Sequence, residues 1–324
     1  MSGIAELKMR MYLTIALVFA TGFAILLVIM DYLGASAFLI ISITLLFFFA
    51  QWYFSPSLIR LVSRLRYIKP GEMSELHEMV KRLASASSVP APRIAISPSQ
   101  QPNAFVFGRT RKSATLVVHE GLLNQLNSEE LESVLAHEMG HIKHNDFLVM
   151  TLVALVPMLA YIIAESFFFG GIRGNRNGSY TMLIGMGAFA VYFLSQLLIL
   201  NLSRSREYFA DMHSAQTTKK PENLASALSK ITYNMASSNQ EQASSGMARS
   251  FYIADSFSAR KDLKEIEEHA DEIKHILPNM EISKLKELAA KETGARSIFG
   301  AFATHPPTYK RILALARIKS EIEK

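Results

Sequence analysis

The chain has 324 residues, of which 50% are hydrophobic and only 19% are charged. Soluble domains are typically about one quarter charged, so this composition favours a membrane protein. The sequence contains no cysteine, which excludes disulfides, thiol catalysis and cysteine-ligated metals. The net charge of +6 is not arranged as a basic stripe interleaved with aromatic residues. We therefore predict no nucleic-acid partner and attribute the charge to Lys and Arg beside membrane spans.

Four long apolar segments divide the chain, at residues 11–30, 32–54, 147–169 and 180–202. A bilayer core of roughly 30 Å requires about 20 helical residues, so each segment is long enough to cross it. For the first segment a cleaved signal peptide is the alternative, but the segment exceeds the usual apolar region of about 7–15 residues. For the third and fourth segments the alternative is a buried core helix, and Glu165 weakens the prediction of a span for the third.

The basic residues lie on one side of these segments. Lys8 and Arg10 precede the first segment, and further Lys and Arg residues follow the second (residues 60–69) and the fourth (residues 204–220). The connections within each pair of segments are poor in Lys and Arg. The positive-inside rule therefore places both termini and the large polar regions in the cytoplasm.

These features predict four regions along the chain. Residues 1–54 and 147–202 are each predicted to form a transmembrane hairpin. Residues 55–146 and 203–324 are predicted to form one soluble domain that the second hairpin interrupts.

Local patterns predict the elements of the soluble domain. Apolar spacing indicates a helix over residues 70–86, and short strands are predicted at residues 93–96, 104–107 and 114–118. Asn127 or Ser128, followed by two acids, indicates the start of another helix. Residues 234–249 are rich in Ser, Asn and Gln and predict a mobile loop.

The sequence HEMGH occupies residues 137–141, on the helix predicted to start near residue 128. His137 and His141 share one helical face at a separation of about 6 Å, so both imidazoles can reach one zinc ion at about 2.0–2.1 Å. Glu138 beside them can accept a proton from an activated water. By composition the pattern arises by chance in on the order of one chain in a hundred. The alternative is a helix with two solvated histidines.

A third ligand must come from another part of the chain. His144 lies about 10 Å from His137 along the axis of a straight helix, too far for both to bind one ion, and the metzincin spacing is absent. Glu207 and Asp211 follow the fourth apolar segment at helical spacing. Glu207 could complete a His₂Glu site, and Asp211 could hold the second nitrogen of a ligand histidine. The alternative is an exposed acid pair on a polar helix.

A hairpin returns the chain to its starting side, so it would bring these two helices together at the membrane surface. We expect the metal within roughly 10 Å of the cytoplasmic surface, because both helices adjoin predicted spans.

With these motifs the chain resembles the HtpX-like membrane zinc metalloproteases, which are relatives of the CAAX prenyl proteases. The resemblance rests on the two N-terminal apolar segments, HEMGH, the second hairpin, SRSREYFAD at residues 203–211, and THPP at residues 304–307 followed by Arg311. It implies a mainly α fold with a small β-sheet, comprising four transmembrane helices and a cytoplasmic zincin-like (gluzincin) metalloprotease domain.

The resemblance also implies the roles of individual residues. One Zn²⁺ per chain would be held by His137, His141 and Glu207, with Asp211 in support. Glu138 would be the catalytic acid–base group.

Two further groups of residues receive roles from the resemblance alone. His305 and Arg311 would stabilise the oxyanion. Asn103, Ala104 and Phe105 would bind substrate as an edge strand, although Val106 stands where a small residue is expected.

The implied function is that of a membrane-bound zinc-dependent endopeptidase acting in protein quality control at the cytoplasmic face. Its partners would be the lipid bilayer and unfolded, misfolded or damaged membrane proteins. One alternative is a CAAX-type processing protease, whose relatives enclose a chamber with more spans than the four segments here. Another is a non-catalytic membrane scaffold or holdase, which would not require Glu138. A zinc transporter is disfavoured because Glu165 is the sole acidic candidate within a span. The sequence does not predict the oligomeric state.

Overall fold

The computed structural model describes residues 9, 11–18, 20, 37–69, 71–172, 178–237, 259–273, 276 and 305–323. The chain forms two compact units. The first combines Met1–Ser55 with Leu148–Ser205, and the second combines Pro56–Phe147 with Arg206–Lys324.

The described residues are mainly helical and include one small sheet. The strands are β1 (Arg66–Tyr67), β2 (Arg93–Ser97), β3 (Ala104–Phe107) and β4 (Thr115–His119). The helices are α1 (Ala37–Val62), α2 (Ser74–Ser87), α3 (Glu120–Gln125), α4 (Ser128–His144), α5 (Asp146–Val153), α6 (Leu155–Ile172), α7 (Gly178–Thr218), α8 (Pro221–Ser237), α9 (Ala259–Glu268), α10 (Ala270–Ile273) and α11 (Thr308–Ile322). The mainly α fold with a small sheet is thus as predicted.

Two helical stretches of the described chain are long and apolar enough to cross a bilayer, judged by length and composition alone. They are Asp146–Glu165 and Met182–Thr218, and they overlap the third and fourth predicted spans. The first predicted span lies largely outside the described residues, and the second overlaps α1. Both therefore stay predictions.

In the first unit the packed core is small and the exposed surface is apolar. Ala160, Ala164 and Ala188 form part of one buried cluster between α6 and α7. Large apolar side chains of the same helices are exposed, including Leu183 at 63% and Phe189 at 55%. Exposed apolar surface on this scale is typical of a region that contacts a membrane or another protein.

The sheet of the second unit has the strand order β1-β2-β4-β3. The central pair, β2 and β4, is parallel, and β1 and β3 join their neighbours antiparallel. The register aligns Ile96 with Val118, and Ala104 with the same Val118. Within the described residues β3 therefore lies at an edge of the sheet.

Both faces of this sheet are covered, which explains why all five residues of β4 are buried. Leu116 and Val118 point into the main core, which also contains α2, α4 and α8 residues. Val117 lies on the opposite face with Phe105 and Phe107, packed against side chains from α1 and β1. Strands buried on both faces lose the alternating pattern of a half-exposed strand.

Helix α4 is the central helix of the second unit. Its start is fixed by a capping box, in which Asn127 accepts from the Glu130 backbone N–H at 2.9 Å and Glu130 accepts from the Asn127 N–H at 3.1 Å. Leu135, Met139 and Ile142 are fully buried in the main core. The helix packs against α2, α8 and β3, so the residues on its remaining face have a fixed position.

The local predictions are correct to within a few residues at most boundaries, with three exceptions. Strand β1 was not predicted, and its pairing with β2 at Arg66–Ile96 adds a strand to the sheet. Residues 234–237 are helical and end α8, whereas residues 238–249 of the predicted loop lie outside the described residues. The helix predicted over residues 70–86 starts at Ser74.

Candidate metal centre

The centre forms where α4 crosses α7, and Gly140 sets the distance between the two helices. A Cβ atom on Gly140 would lie 3.0 Å from Ala210 Cα and 3.1 Å from His213 Cβ. Ser214 Oγ donates to the Ser133 carbonyl at 2.6 Å across the same contact. Such close packing brings the histidines of α4 directly against the acids of α7.

The three predicted ligands converge at this crossing. The Nε2 atoms of His137 and His141 are 3.1 Å apart. Glu207 Oε2 lies 3.6 Å from His137 Nε2, and Glu207 Oε1 lies 3.6 Å from His141 Nε2. Across the described ranges of the chain, these three residues are the group of His, Asp and Glu side chains placed to hold a metal ion.

The donor set fits zinc. Tetrahedral coordination with bonds of about 2.0–2.1 Å places ligand atoms roughly 3.3 Å apart, and the observed separations of 3.1 and 3.6 Å bracket this value. Two imidazoles and one carboxylate are also the ligand types of catalytic zinc sites, which keep one position for water or substrate.

Glu138 lies beside this group and is 3% exposed. Burial raises the pKa of its carboxyl to about 7, against the opposing effect of the nearby histidines. A carboxyl with a pKa near neutrality can both accept and release a proton at physiological pH.

The side chain of His137 is buried, with 1% of the residue exposed. Its Nδ1 lies 2.9 Å from Asp211 Oδ1. Burial alone would lower the pKa of His137, but contacts with the Asp211 and Glu207 carboxylates outweigh it and raise the pKa to about 10. Carboxylates placed around a histidine in this way favour positive charge at the site, for example a cation bound at the histidine Nε2.

Arg311 joins Asp211 to Glu207. Its Nε and Nη2 atoms donate to the two Asp211 oxygens at 2.8 and 2.7 Å. Its Nη1 lies 3.4 Å from Glu207 Oε2, and the residue is 1% exposed. The bidentate pair neutralises Asp211 and fixes its orientation.

His305 also reaches the centre, with Nε2 3.7 Å from Glu207 Oε1. It precedes α11, whose first residue is tied down by Asp262. The Thr308 backbone N–H and hydroxyl both donate to Asp262 Oδ2, at 3.2 and 3.0 Å. An acid at a helix N-terminus is electrostatically favourable, so Asp262 helps to fix the start of the helix that carries Arg311.

The predicted substrate-binding residues lie at the edge of the sheet. Asn103 directly precedes β3, and its carbonyl accepts the His119 backbone N–H at 2.9 Å. Ala104 and Phe105 begin β3, which packs beside α4. Val106 is half-buried against the main core.

A histidine that matches no motif of the resembled family is expected at the surface, but His119, the last residue of β4, is buried. The residue is 5% exposed, and its ring packs edge-on to Phe105 at 6.0 Å. Burial lowers the pKa of its imidazole. Its position at the end of a fully buried strand could have indicated this.

Two further residues at the centre, Asp146 and Arg206, were not predicted from the sequence. Asp146 Oδ2 accepts from His141 Nδ1 at 2.6 Å, and Arg206 pairs with the same carboxylate. Both residues are buried. The available clues were an acid just after the HEMGH helix and an arginine next to Glu207.

Comparisons with known proteins assign the family. A family model described as peptidase family M48 matches residues 70–319. The chain belongs to peptidase family M48. It is accordingly a metallopeptidase, and the predicted resemblance to HtpX-like proteases is confirmed by curated relatives.

Two relatives illustrate the match. A "Protease HtpX homolog" of Methanothermobacter thermautotrophicus is 39% identical over 244 residues, which cover 74% of this M48 chain and 92% of the relative. A "Protease HtpX homolog" of Moorella thermoacetica is 34% identical over 324 residues, covering 98% of this chain and 96% of the relative.

A solved structure shares the fold. S. mikatae Ste24p superposes with a TM-score of 0.51 at 17% identity, covering 97% of this M48 chain and 67% of that protein.

Proposed function

We propose that this M48 peptidase is a zinc-dependent endopeptidase of the cytoplasmic membrane, which hydrolyses misfolded or damaged membrane proteins at the cytoplasmic face. The observation that carries the proposal is the convergence of His137, His141 and Glu207 donor atoms beside the buried Glu138. These three donors would hold the ion. When bound there, zinc supplies a Lewis acid that polarises a carbonyl and promotes ionisation of water.

The remaining chemistry belongs to the side chains. Glu138 takes a proton from the attacking water and later delivers it to the leaving nitrogen, a task that its pKa of about 7 suits. His305 Nε2 and the Nη1 side of Arg311 donate to the carbonyl oxygen of the scissile bond as it gains negative charge. Support for these roles comes from the approach of both groups to Glu207, at 3.7 and 3.4 Å.

We propose that substrate binds in extended form along β3. A peptide can bind in extended form by adding a strand to the edge of a sheet. Ala104 and Phe105 belong to β3, which lies at an edge of the described sheet beside the helix that carries HEMGH. Asn103, which is fully buried at the start of this edge, would fix the register of the bound chain.

Loss of the acid–base group tests the catalytic proposal. Glu138→Gln should bind one zinc per chain but cleave a chemically unfolded test protein about 10²–10⁴-fold more slowly, because this is the usual contribution of general acid–base catalysis. Glu130→Gln is the matched control, since Glu130 is also buried on α4 but pairs with Lys230. Cleavage by the wild type should stop with a chelator and return with zinc. Wild-type cleavage by Glu138→Gln would contradict the mechanism, and cleavage of prenylated peptides alone would favour the processing-protease alternative.

We propose four spans, with residues 55–146 and 203–324 together forming the protease domain on the cytoplasmic side. The division into two compact units supports this grouping. Glu207 follows the fourth apolar segment so closely that the centre should lie near the membrane surface.

Cysteine labelling tests the orientation, because the chain contains no cysteine of its own. In intact cells an impermeant maleimide should label Asn175→Cys, between the third and fourth apolar segments. It should label Lys112→Cys, at an exposed position of the second unit, only after permeabilisation. The reverse pattern would contradict the proposed orientation.

A further inference from the structure

His141 has a carboxylate partner that the proposed mechanism does not use. Asp146 Oδ2 lies 2.6 Å from His141 Nδ1, and since a carboxylate can only accept, Nδ1 carries the proton. Asp146 is 8% exposed. The hydrogen bond leaves His141 Nε2 as the nitrogen with a lone pair, and Nε2 is the atom that faces His137 and Glu207.

Arg206 fixes this carboxylate in turn. Its Nη2 pairs with Asp146 Oδ1 and also donates to the His144 carbonyl at 2.9 Å. Arg206 is 5% exposed, so the ion pair is shielded from water. Because Arg206 immediately precedes Glu207 on α7, one helix supplies both the third donor and the cation that holds Asp146.

The backbone between His141 and Asp146 is shaped for this contact. In a continuous helix a residue five positions on lies about 140° around the axis, so Asp146 would face away from His141. Asn145 instead adopts the left-handed conformation (φ 54°) and ends α4. Arg111 secures the turn by donating to Asn145 Oδ1 at 2.9 Å and to the Lys143 carbonyl at 2.5 Å. The chain therefore turns back and directs Asp146 at the histidine.

We propose that Asp146, held by Arg206, is a positioning residue for His141 that fixes its tautomer and ring orientation for metal binding. This inference rests on the proposed zinc site. His137 has a comparable neighbour, because Asp211 Oδ1 lies 2.9 Å from His137 Nδ1. Carboxylates that accept from the second nitrogen of a ligand histidine increase its basicity and lock its orientation.

A purely structural role would have a different consequence. Asp146 is also the first residue of α5 and the partner of a buried cation. If those were its only tasks, its loss would destabilise the metal-free and zinc-loaded proteins equally. A positioning role instead reduces the additional stability that zinc confers, because that increment depends on zinc affinity.

The test is zinc binding by the full chain in detergent, with Asp146→Asn as the variant and Glu130→Gln as control. Asn cannot accept from His141 without presenting its NH₂ group to Arg206. We expect zinc affinity, measured by competition with a chromogenic chelator, to fall about 10–100-fold in Asp146→Asn. The rise in melting temperature on adding zinc should shrink in this variant, and Glu130→Gln should keep both wild-type values.

Arg206→Lys keeps the positive charge but loses the forked donor, and it provides a milder second variant should Asp146→Asn fail to fold. Zinc affinity should fall in this variant too, by less than the loss in Asp146→Asn. If the wild type binds zinc and either folded variant matches its affinity, the positioning role is overturned while the proposed function stands. If the wild type binds no zinc, the proposed function itself has failed.

Discussion

The two histidines of the candidate metal centre each face a buried carboxylate held by an arginine, and these groups come from different parts of the chain. His137 contacts Asp211, and Arg311 of α11 donates two hydrogen bonds to that carboxylate. The contacts around His137 therefore join α4, α7 and α11, which are distant in sequence. His141 contacts Asp146 just beyond its own helix, and Arg206 completes that arrangement from α7.

The difference lies in what else each arginine touches. Arg311 lies 3.4 Å from Glu207 and also pairs with Asp211. It is therefore connected directly to the donor Glu207 and, through Asp211, to the donor His137. Arg206 holds Asp146, the carboxylate beside His141, and donates to the His144 carbonyl. We infer that a substitution at Asp211 or Arg311 disturbs the whole centre, whereas a substitution at Asp146 weakens the binding of one ligand, His141.

The largest expected effect on binding is therefore that of Asp211→Asn. This change removes the negative charge beside His137 and leaves Arg311 buried with less compensating charge, which typically costs about 3–5 kcal/mol of stability. We expect a lower melting temperature without metal and a loss of zinc affinity exceeding that of Asp146→Asn. Thermal unfolding and chelator competition on the two variants in parallel would measure both effects. An equal or greater loss of zinc affinity in Asp146→Asn would contradict the proposed difference between the two histidines.

A smaller effect is expected from Gly140→Ala, which should disturb both sides together. The added methyl would lie 3.0 Å from Ala210 Cα, so α4 and α7 must separate by a few tenths of an ångström. A misplacement of about 1 Å can cost about 100-fold in rate, so we expect kcat/KM to fall roughly two- to five-fold with zinc saturating. Alanine favours a helix by about 1 kcal/mol over glycine, so lost stability is not the expected cause. Unchanged turnover would show that the helix crossing tolerates expansion.

Much of the second unit was predictable because its determinants are local. Asn127 and Glu130 form the capping box that their spacing indicates, and α4 starts at Ser128 as expected. The three longer strands follow from β-branched and aromatic residues between turn-forming residues. The two-residue strand β1 is too short to show a period and forms only through pairing with β2.

The candidate site was predictable to different degrees. The spacing of HEMGH indicates two ligands by helical periodicity alone. Glu207 required the argument that a hairpin returns the chain to its starting side, and the roles of His305 and Arg311 came only from the family resemblance. Asp146 could not be placed by periodicity, because the left-handed Asn145 interrupts the helix that such an argument assumes.

The order in which the chain is synthesised gives the position of Glu207 a further consequence. A nascent chain that has emerged only as far as α6 contains both histidines and Glu138, but lacks the third donor. Glu207, Asp211 and Arg311 all follow the apolar part of α7. The candidate metal centre therefore lacks its third donor until the last long apolar segment has been translated.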